Sequence, residues 1–182
     1  MDYYIEIKLH PNHERNIAQL MNDVFGELHK RLFEINSKSI GVSFPKYSEY
    51  LGDTIRIHGC KKDLEYFDQT DWCQKYKIFT SISSIYKVPA KVEYKIFSRE
   101  QQNKSNSKLR RLMKRNKISD EDRKKYIIKM MKEGIQSPYI EIISNSNKKR
   151  YRRYILMKES KNLAQGEFDF FGLSKNASVP WF

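Results

Sequence analysis

Apolar and polar residues alternate singly at the start of the chain, Tyr3, Ile5, Ile7 and Leu9 against Tyr4, Glu6, Lys8 and His10. A period of two marks a strand with one buried face, and Pro11-Asn12 ends it. The period then lengthens. Ile17, Leu20, Met21, Val24, Leu28, Leu32 and Ile35 recur every three or four residues, which predicts an amphipathic helix over about Glu14–Asn36. Two strands are expected next, at Ile40–Phe44 and Thr54–Gly59, either side of a loop holding Pro45, Ser48 and Gly52. A second helix is expected over Lys61–Tyr76, with Leu64, Phe67 and Trp72 turned inward. Past Pro89, Val92, Tyr94 and Ile96 alternate with Lys91, Glu93 and Lys95, which predicts a fourth strand at Lys91–Ser98.

That order, βαββαβ, is the order of the ferredoxin-like unit, so the expected class is α+β with a ferredoxin-like domain over residues 1–99. The fold hosts many functions and by itself names none. From residue 100 to 182 the pattern predicts a smaller α/β region. A polar linker from Gln101 to Ser107 leads into a short helix at about 107–116. Ser119-Asp120-Glu121-Asp122 resembles a capping box that opens another helix to about Glu133, closed near Gly134. Short strands are expected at Tyr139–Ser144, Tyr151–Met157 and Phe168–Phe171.

Charge changes this picture. The chain has 182 residues and a formal net charge of +13, and between Lys104 and Arg153 it holds 17 Lys/Arg against 5 Asp/Glu, so nearly all of the excess lies in that window. Such a local field attracts a polyanion, and a nucleic-acid face is expected there. In the short helix Leu109, Leu112 and Met113 share one side, while Lys108, Arg111, Lys114 and Arg115 project from the other. No carboxylate lies among them to form i,i+4 pairs. Arginine can fork onto a guanine edge, whereas lysine supplies mainly charge to phosphates. A standard A-form major groove is too narrow for such a helix, so its target is duplex DNA or a short, widened RNA stem. A second basic run, Lys148 to Arg153, carries Tyr151 and Tyr154, aromatics suited either to stacking on a base or to the core.

Candidate chemistry is sparse. Cys60 and Cys73 form no Cys-x-x-Cys pair, and none of His10, His13, His29 and His58 belongs to a metal-ligand spacing. No Walker loop or dinucleotide glycine fingerprint is present. These absences argue against metal-dependent nucleases, NTPases and oxidoreductases, so no metal and no cofactor is expected. Neither an export signal nor a membrane span is read from the sequence, and a cytoplasmic protein with no membrane partner is expected. His29, on the edge of the first helix's apolar stripe beside Phe25, is either a boundary residue or a proton carrier.

Several segments carry a more specific message: Met1-Asp2-Tyr3-Tyr4, Ala18-Gln19-Leu20-Met21, Gly26-Glu27-Leu28-His29, Ile40-Gly41-Val42-Ser43-Phe44-Pro45, Leu112-Met113-Lys114-Arg115, and Gly172-Leu173-Ser174-Lys175 through Val179-Pro180-Trp181-Phe182. With them the chain resembles, from end to end, the Csy-type family of CRISPR type I-F crRNA-processing endoribonucleases. Between about Tyr47 and Ala90 the likeness is one of pattern only.

The resemblance implies an enzyme that binds the stem-loop of a CRISPR repeat transcript, cuts at the base of the stem without metal and keeps its product. The cut would proceed by attack of a ribose 2′-hydroxyl, giving a 2′,3′-cyclic phosphate and a 5′-hydroxyl. It implies that His29 is the catalytic histidine, as base or as acid, and that Ser144 holds the attacking hydroxyl, with Ser146 in possible support. Arg99 and Gln101 would read bases at the foot of the stem, with Gln102 an alternative because the linker differs in length. Arg111 and Arg115 would enter the stem's major groove with Lys108 and Lys114 beside them, making 100–182 the hairpin-binding region, and Tyr151 would cap the terminal base pair. Before the final Gly-Leu-Ser-Lys the family can carry tyrosine, where Phe171 keeps the ring and loses the hydroxyl. The partners implied are the repeat RNA and a type I-F RNA-guided surveillance complex. A non-cleaving hairpin binder and a basic ribosomal-type protein are the rival readings.

Overall fold

The computed structural model describes residues 1–101, 106–115, 118–132, 135–143 and 149–182. They form an α+β protein with antiparallel sheets. Strand β1 (Tyr3–Leu9) buries Ile5, Ile7 and Leu9 completely, as its alternation predicts, and pairs antiparallel with β3 (Thr54–Gly59) from Tyr3↔Gly59 to Lys8↔Thr54. Strand β2 (Gly41–Ser43) pairs with the other edge of β3.

Helix α1 (Ile17–Glu34) starts at Asn16, whose side chain accepts from the Gln19 amide while the Gln19 side chain accepts from the Asn16 amide. This capping box sets the helix start a few residues later than apolar spacing alone suggests. Leu20, Met21, Val24, Phe25, Leu28 and Leu32 form its buried stripe, each contributing about 1.5–3 kcal/mol on burial. Helix α2 (Lys61–Asp68) is shorter than the expected Lys61–Tyr76. Its last carbonyls are taken from outside: Arg31 of α1 donates to Phe67 O at 3.0 Å and to Tyr66 O at 2.6 Å. A cation on the final turn also opposes the helix dipole. Leu64 and Phe67 are buried and Trp72 packs against Phe67, as expected, although Trp72 lies beyond the helix and a 3-10 turn follows at Gln74–Phe79.

The strand expected at Lys91–Ser98 exists as β6 (Glu93–Glu100), but it is not the fourth strand of this sheet. The free edge of β1 is occupied instead by β4 (Thr80–Ile82) and β5 (Tyr86–Lys87). Between them Ser83 makes two bonds to Glu6, its amide donating to the Glu6 carbonyl and its hydroxyl accepting from the Glu6 amide, each 2.9 Å, so the pairing on β1 continues past β4. Both strands are short and largely exposed, and short exposed strands carry no alternation to read. The sheet order is β2-β3-β1-β4, with β5 also on β1. Strand β6 lies inside a second sheet, order β7-β8-β6-β9, with β7 (Tyr139–Ile143), β8 (Arg150–Ser160) and β9 (Val179–Trp181). Strand β9 tolerates Pro180 because it lies at the sheet's edge.

No strand forms at Phe168–Phe171. The Asp169 Oδ1 accepts from the amides of Phe171 and Leu173 at 2.9 and 3.0 Å, and Gly172 takes φ +68°, which closes a turn. A β-carbon at Gly172 would meet the Val42 side chain at 2.3 Å, so both the left-handed backbone and the close approach require glycine. The turn is fastened to the β2 segment by Phe168 N to Lys38 O and Val42 N to Gly172 O, each 2.9 Å. A short strand is expected here from the sequence; an aspartate three residues before a glycine makes a turn instead.

By contacts the chain forms two units, Met1–Arg99 with Ser137–Phe182, and Glu100–Gln136. Strands β7, β8 and β9, from the segment expected as the region 100–182, pair in the sheet that contains β6. The second unit consists of α3 (Asn106–Lys114) and α4 (Asp120–Lys132). The Ser119 hydroxyl accepts from the Asp122 amide at 3.1 Å, the cap expected for α4, and three carboxylates fill the first turn. Residues 102–105 of the linker, Asn116, Glu133 and Gly134 lie outside the described residues.

Candidate active site

His29 lies at the rim of the α1 stripe, half-buried, one turn beyond fully buried Phe25. Its Nδ1 is 2.7 Å from the Phe170 carbonyl, 141 residues away in sequence. A carbonyl only accepts, so Nδ1 carries the hydrogen and, in the neutral ring, Nε2 keeps its lone pair. The imidazole lies flat on Phe171, centroids 3.6 Å apart and planes within 10°. The guanidinium carbon of Arg153 is 3.5 Å from the same centroid. Two groups at those heights cannot share a face, so the Phe171 ring is sandwiched between imidazole and guanidinium. Phe25 lies beside Phe171, nearly parallel to it at 6.2 Å, and packs against Phe44, which ties the sandwich to the core.

Burial is the largest influence on the imidazole and holds its pKa below the ordinary value of 6.5. The Phe170 carbonyl and Asp169 oppose that shift, and the charges of Arg153 and Lys30 reinforce it. At neutral pH the ring is therefore an uncharged proton acceptor at Nε2.

A cleft of about 1160 Å³ opens beside His29. One wall is α1, with Gln19, Asn22, Gly26 and Lys30, and the other is the β7–β8 hairpin, with Glu141, Ile143, Arg150 and Tyr151. Asn22 pins the two together by accepting from the Glu141 amide at 2.9 Å.

Of the residues expected at a site, the structure places His29 and Tyr151 on this cleft and Phe171 against the His29 ring. Tyr151 is half-buried on β8, opposite Ile142. Arg99 is exposed near the end of β6, and Gln101 is exposed just past it. Ser144 and Ser146 lie outside the described residues, as do Gln102 and Lys148. In the second unit Arg111, Lys114 and Arg115 are exposed and Leu109 is buried, the two-faced arrangement expected of α3. Met113, expected on the buried side, is instead 39% exposed. Lys108 belongs to α3, and its side chain lies outside the description.

Sequence reasoning missed Arg153, Asp169 and the Phe170 carbonyl. The Asp-x-x-Gly spacing of residues 169–172 was the available signal for the turn. Nothing local signals that a strand arginine in a basic run is 8% exposed and lies over an aromatic ring.

The family model for CRISPR-associated protein (Cas_Csy4) matches residues 4–182. A CRISPR-associated endonuclease Cas6/Csy4 of Pseudomonas aeruginosa (strain UCBPP-PA14) is 34% identical over 187 residues, an alignment that covers all of both chains. One of Escherichia coli (strain UTI89 / UPEC) is 30% identical over 188 residues, again over the full length of each. A solved structure described as "An RAMP protein binding different RNA substrates" covers 97% of this chain and 99% of its own at 14% identity, with a TM-score of 0.36, a likeness too loose to define the fold.

Proposed function

The chain belongs to the CRISPR-associated Cas_Csy4 family, and on that premise we propose that it is a metal-independent endoribonuclease acting on the CRISPR repeat stem-loop. It binds the hairpin in precursor crRNA, cleaves at the base of the stem and stays on the mature crRNA. The observation that carries the catalytic reading is the His29 imidazole, with Nδ1 committed to a backbone carbonyl and Nε2 without a hydrogen-bond partner among the described residues, beside a cleft.

In this reading Nε2 accepts the proton of the ribose 2′-hydroxyl upstream of the scissile phosphate. The 2′-oxygen bonds to phosphorus, the bond to the 5′-oxygen breaks, and the leaving oxygen takes up a proton, giving a 2′,3′-cyclic phosphate and a 5′-hydroxyl. Lys30 and Arg150, both on the cleft, would offset charge on the phosphorane. Ser144, held to orient the hydroxyl, rests on the family resemblance alone, as does Ser146. Phe171 supplies a ring against the imidazole and no hydroxyl, so among the described residues the hydrogen bond that orients His29 comes from Phe170.

Tyr151 would cap the terminal base pair, Arg99 and Gln101 would read its neighbours, Arg111 and Arg115 would enter the groove, and Lys108 and Lys114 would meet phosphates. The β2-β3-β1-β4 sheet, with α1 and α2 in the connections, is read as the ferredoxin-like domain. Service as a subunit of a type I-F surveillance complex, in the cytoplasm, completes the proposal.

The test is single-turnover cleavage of the repeat hairpin by the purified protein in excess EDTA. Cleavage should persist, and a 2′-deoxy substitution upstream of the cut should abolish it while leaving binding nearly intact. Strict dependence on Mg²⁺, or cleavage of the deoxy substrate, overturns the chemistry. Tight binding with no cleavage would leave the hairpin-binder reading.

A further inference from the structure

A buried arginine is costly unless carboxylates and carbonyls fully occupy its guanidinium. Arg153 is only partly compensated. It is 8% exposed on β8; among the described residues its ion pair is a 3.3 Å contact from Nη1 to Asp169, the Tyr151 side chain also interacts favourably with its guanidinium, and its Nε is buried with no hydrogen-bond partner. A methionine would fill much of the same volume without those penalties. What the guanidinium touches instead is the face of Phe171, and on the ring's opposite face lies His29.

Resting on the endonuclease reading, we propose that Arg153 is a positioning residue for cleavage, acting through the Phe171 ring to keep His29 flat, uncharged and with Nε2 available to the substrate. Two physical effects combine. The cation draws on the electron-rich face of Phe171 and clamps the ring between two planar groups, which fixes the plane of the imidazole. Its fixed positive charge, one ring away in a partly desolvated site, also disfavours a second cation at His29.

The other charged groups around His29 are Lys30 on its own helix, which acts in the same sense, and Asp169 in the adjoining turn, which acts in the opposite one. Asp169 is exposed, and its second oxygen is occupied by backbone amides, so it only partly cancels Arg153. Arg99 lies close enough to raise the positive potential at Arg153 further.

The experiment compares wild type, Arg153→Met and Arg153→Lys by single-turnover cleavage of the repeat hairpin across pH, and by NMR titration of the His29 imidazole without RNA. Arg153→Met should cleave about tenfold more slowly near neutrality, bind the hairpin with near wild-type affinity, and move the acidic limb of its rate profile upward by about half to one pH unit. The His29 titration should move upward by the same amount. Arg153→Lys keeps the charge, so it should return the limb and the titration toward wild type. It lacks the planar fork and should recover only part of the rate.

An Arg153→Met protein with the wild-type limb and titration overturns the proposal, because loss of mere packing would leave both in place. If Arg153→Met does not fold, Arg153→Lys alone decides: a wild-type His29 titration with a rate loss upholds the clamp, and full wild-type rate overturns it. Failure of the endonuclease reading shows differently, as wild type that does not cleave while its His29 titration still responds to position 153.

Discussion

A histidine on the margin of an apolar helix stripe is chemically undecided until something fixes one of its ring nitrogens. For His29 that partner is the Phe170 carbonyl at 2.7 Å, which commits Nδ1 as donor and leaves Nε2 to accept. His29→Ala removes this acceptor without opening a core cavity, because the ring is only half-buried at the rim. The variant should fold, bind the repeat hairpin with near wild-type affinity, and cleave at least about 100-fold more slowly in single turnover. Binding assays beside burst-free cleavage kinetics check both halves, and full activity in the variant removes His29 from the chemistry. Since burial holds its pKa below 6.5, wild-type cleavage should be flat through neutrality and fall only in more acidic buffer. The position of His29 on the helix was legible, because helical periodicity is local. Its proton assignment was not, since Phe170, Phe171 and Arg153 arrive from distant segments through tertiary packing.

At the scale of elements, legibility followed how much a segment must satisfy by itself. Helix α1 and strand β1 carry long, clean patterns because one face of each is buried along its whole length. The short strands β4 and β5 take their conformation from the β1 edge they cover, and the turn at residues 169–172 takes its own from one aspartate and one glycine. Helix α3 is legible for another reason: its basic side chains, with no carboxylate among residues 108–115, lie beside a buried Leu109. Its exposed arginines give the element its test. Arg111→Ala and Arg115→Ala should each weaken hairpin binding by roughly 1–3 kcal/mol and relax the preference for guanines in the stem. Lys114→Ala should weaken all stems alike and flatten the salt dependence. Filter-binding titrations over a panel of stems and salt concentrations separate these outcomes, and equal, sequence-blind losses from all three would reduce α3 to a phosphate clamp.

Across the larger unit, the last residues of the chain are bound to the first sheet as well as the second. Strand β9 pairs with β6, and Phe182 beyond it contacts Arg56 and His58 of β3 and Tyr4 of β1. Arg56 donates to the Phe182 backbone oxygen and pairs with Glu6 at 2.6 Å. His58 lies inside this junction, fully buried, with Nε2 2.8 Å from the Ser43 hydroxyl and Nδ1 without a hydrogen-bond partner among the described residues. Burial, first, and the neighbouring Arg56 charge, second, push its pKa down to about 3. In the unfolded chain the same ring protonates near 6.5, so the unfolded state binds more protons throughout the interval between the two values. The resulting stabilisation is complete above pH 6.5 and is lost progressively as pH falls toward 3, a change on the order of a few kcal/mol. Urea unfolding of the wild type should therefore show stability declining from about pH 6.5 to about pH 5, before most carboxylates titrate. His58→Gln cannot charge. It should be less stable than wild type at pH 7, where it disturbs a packed site, yet its stability should decline much less over that interval, so the two curves approach each other as pH falls. Parallel curves would assign the acid sensitivity to some other group and leave His58 as a packing residue at the junction of the two sheets.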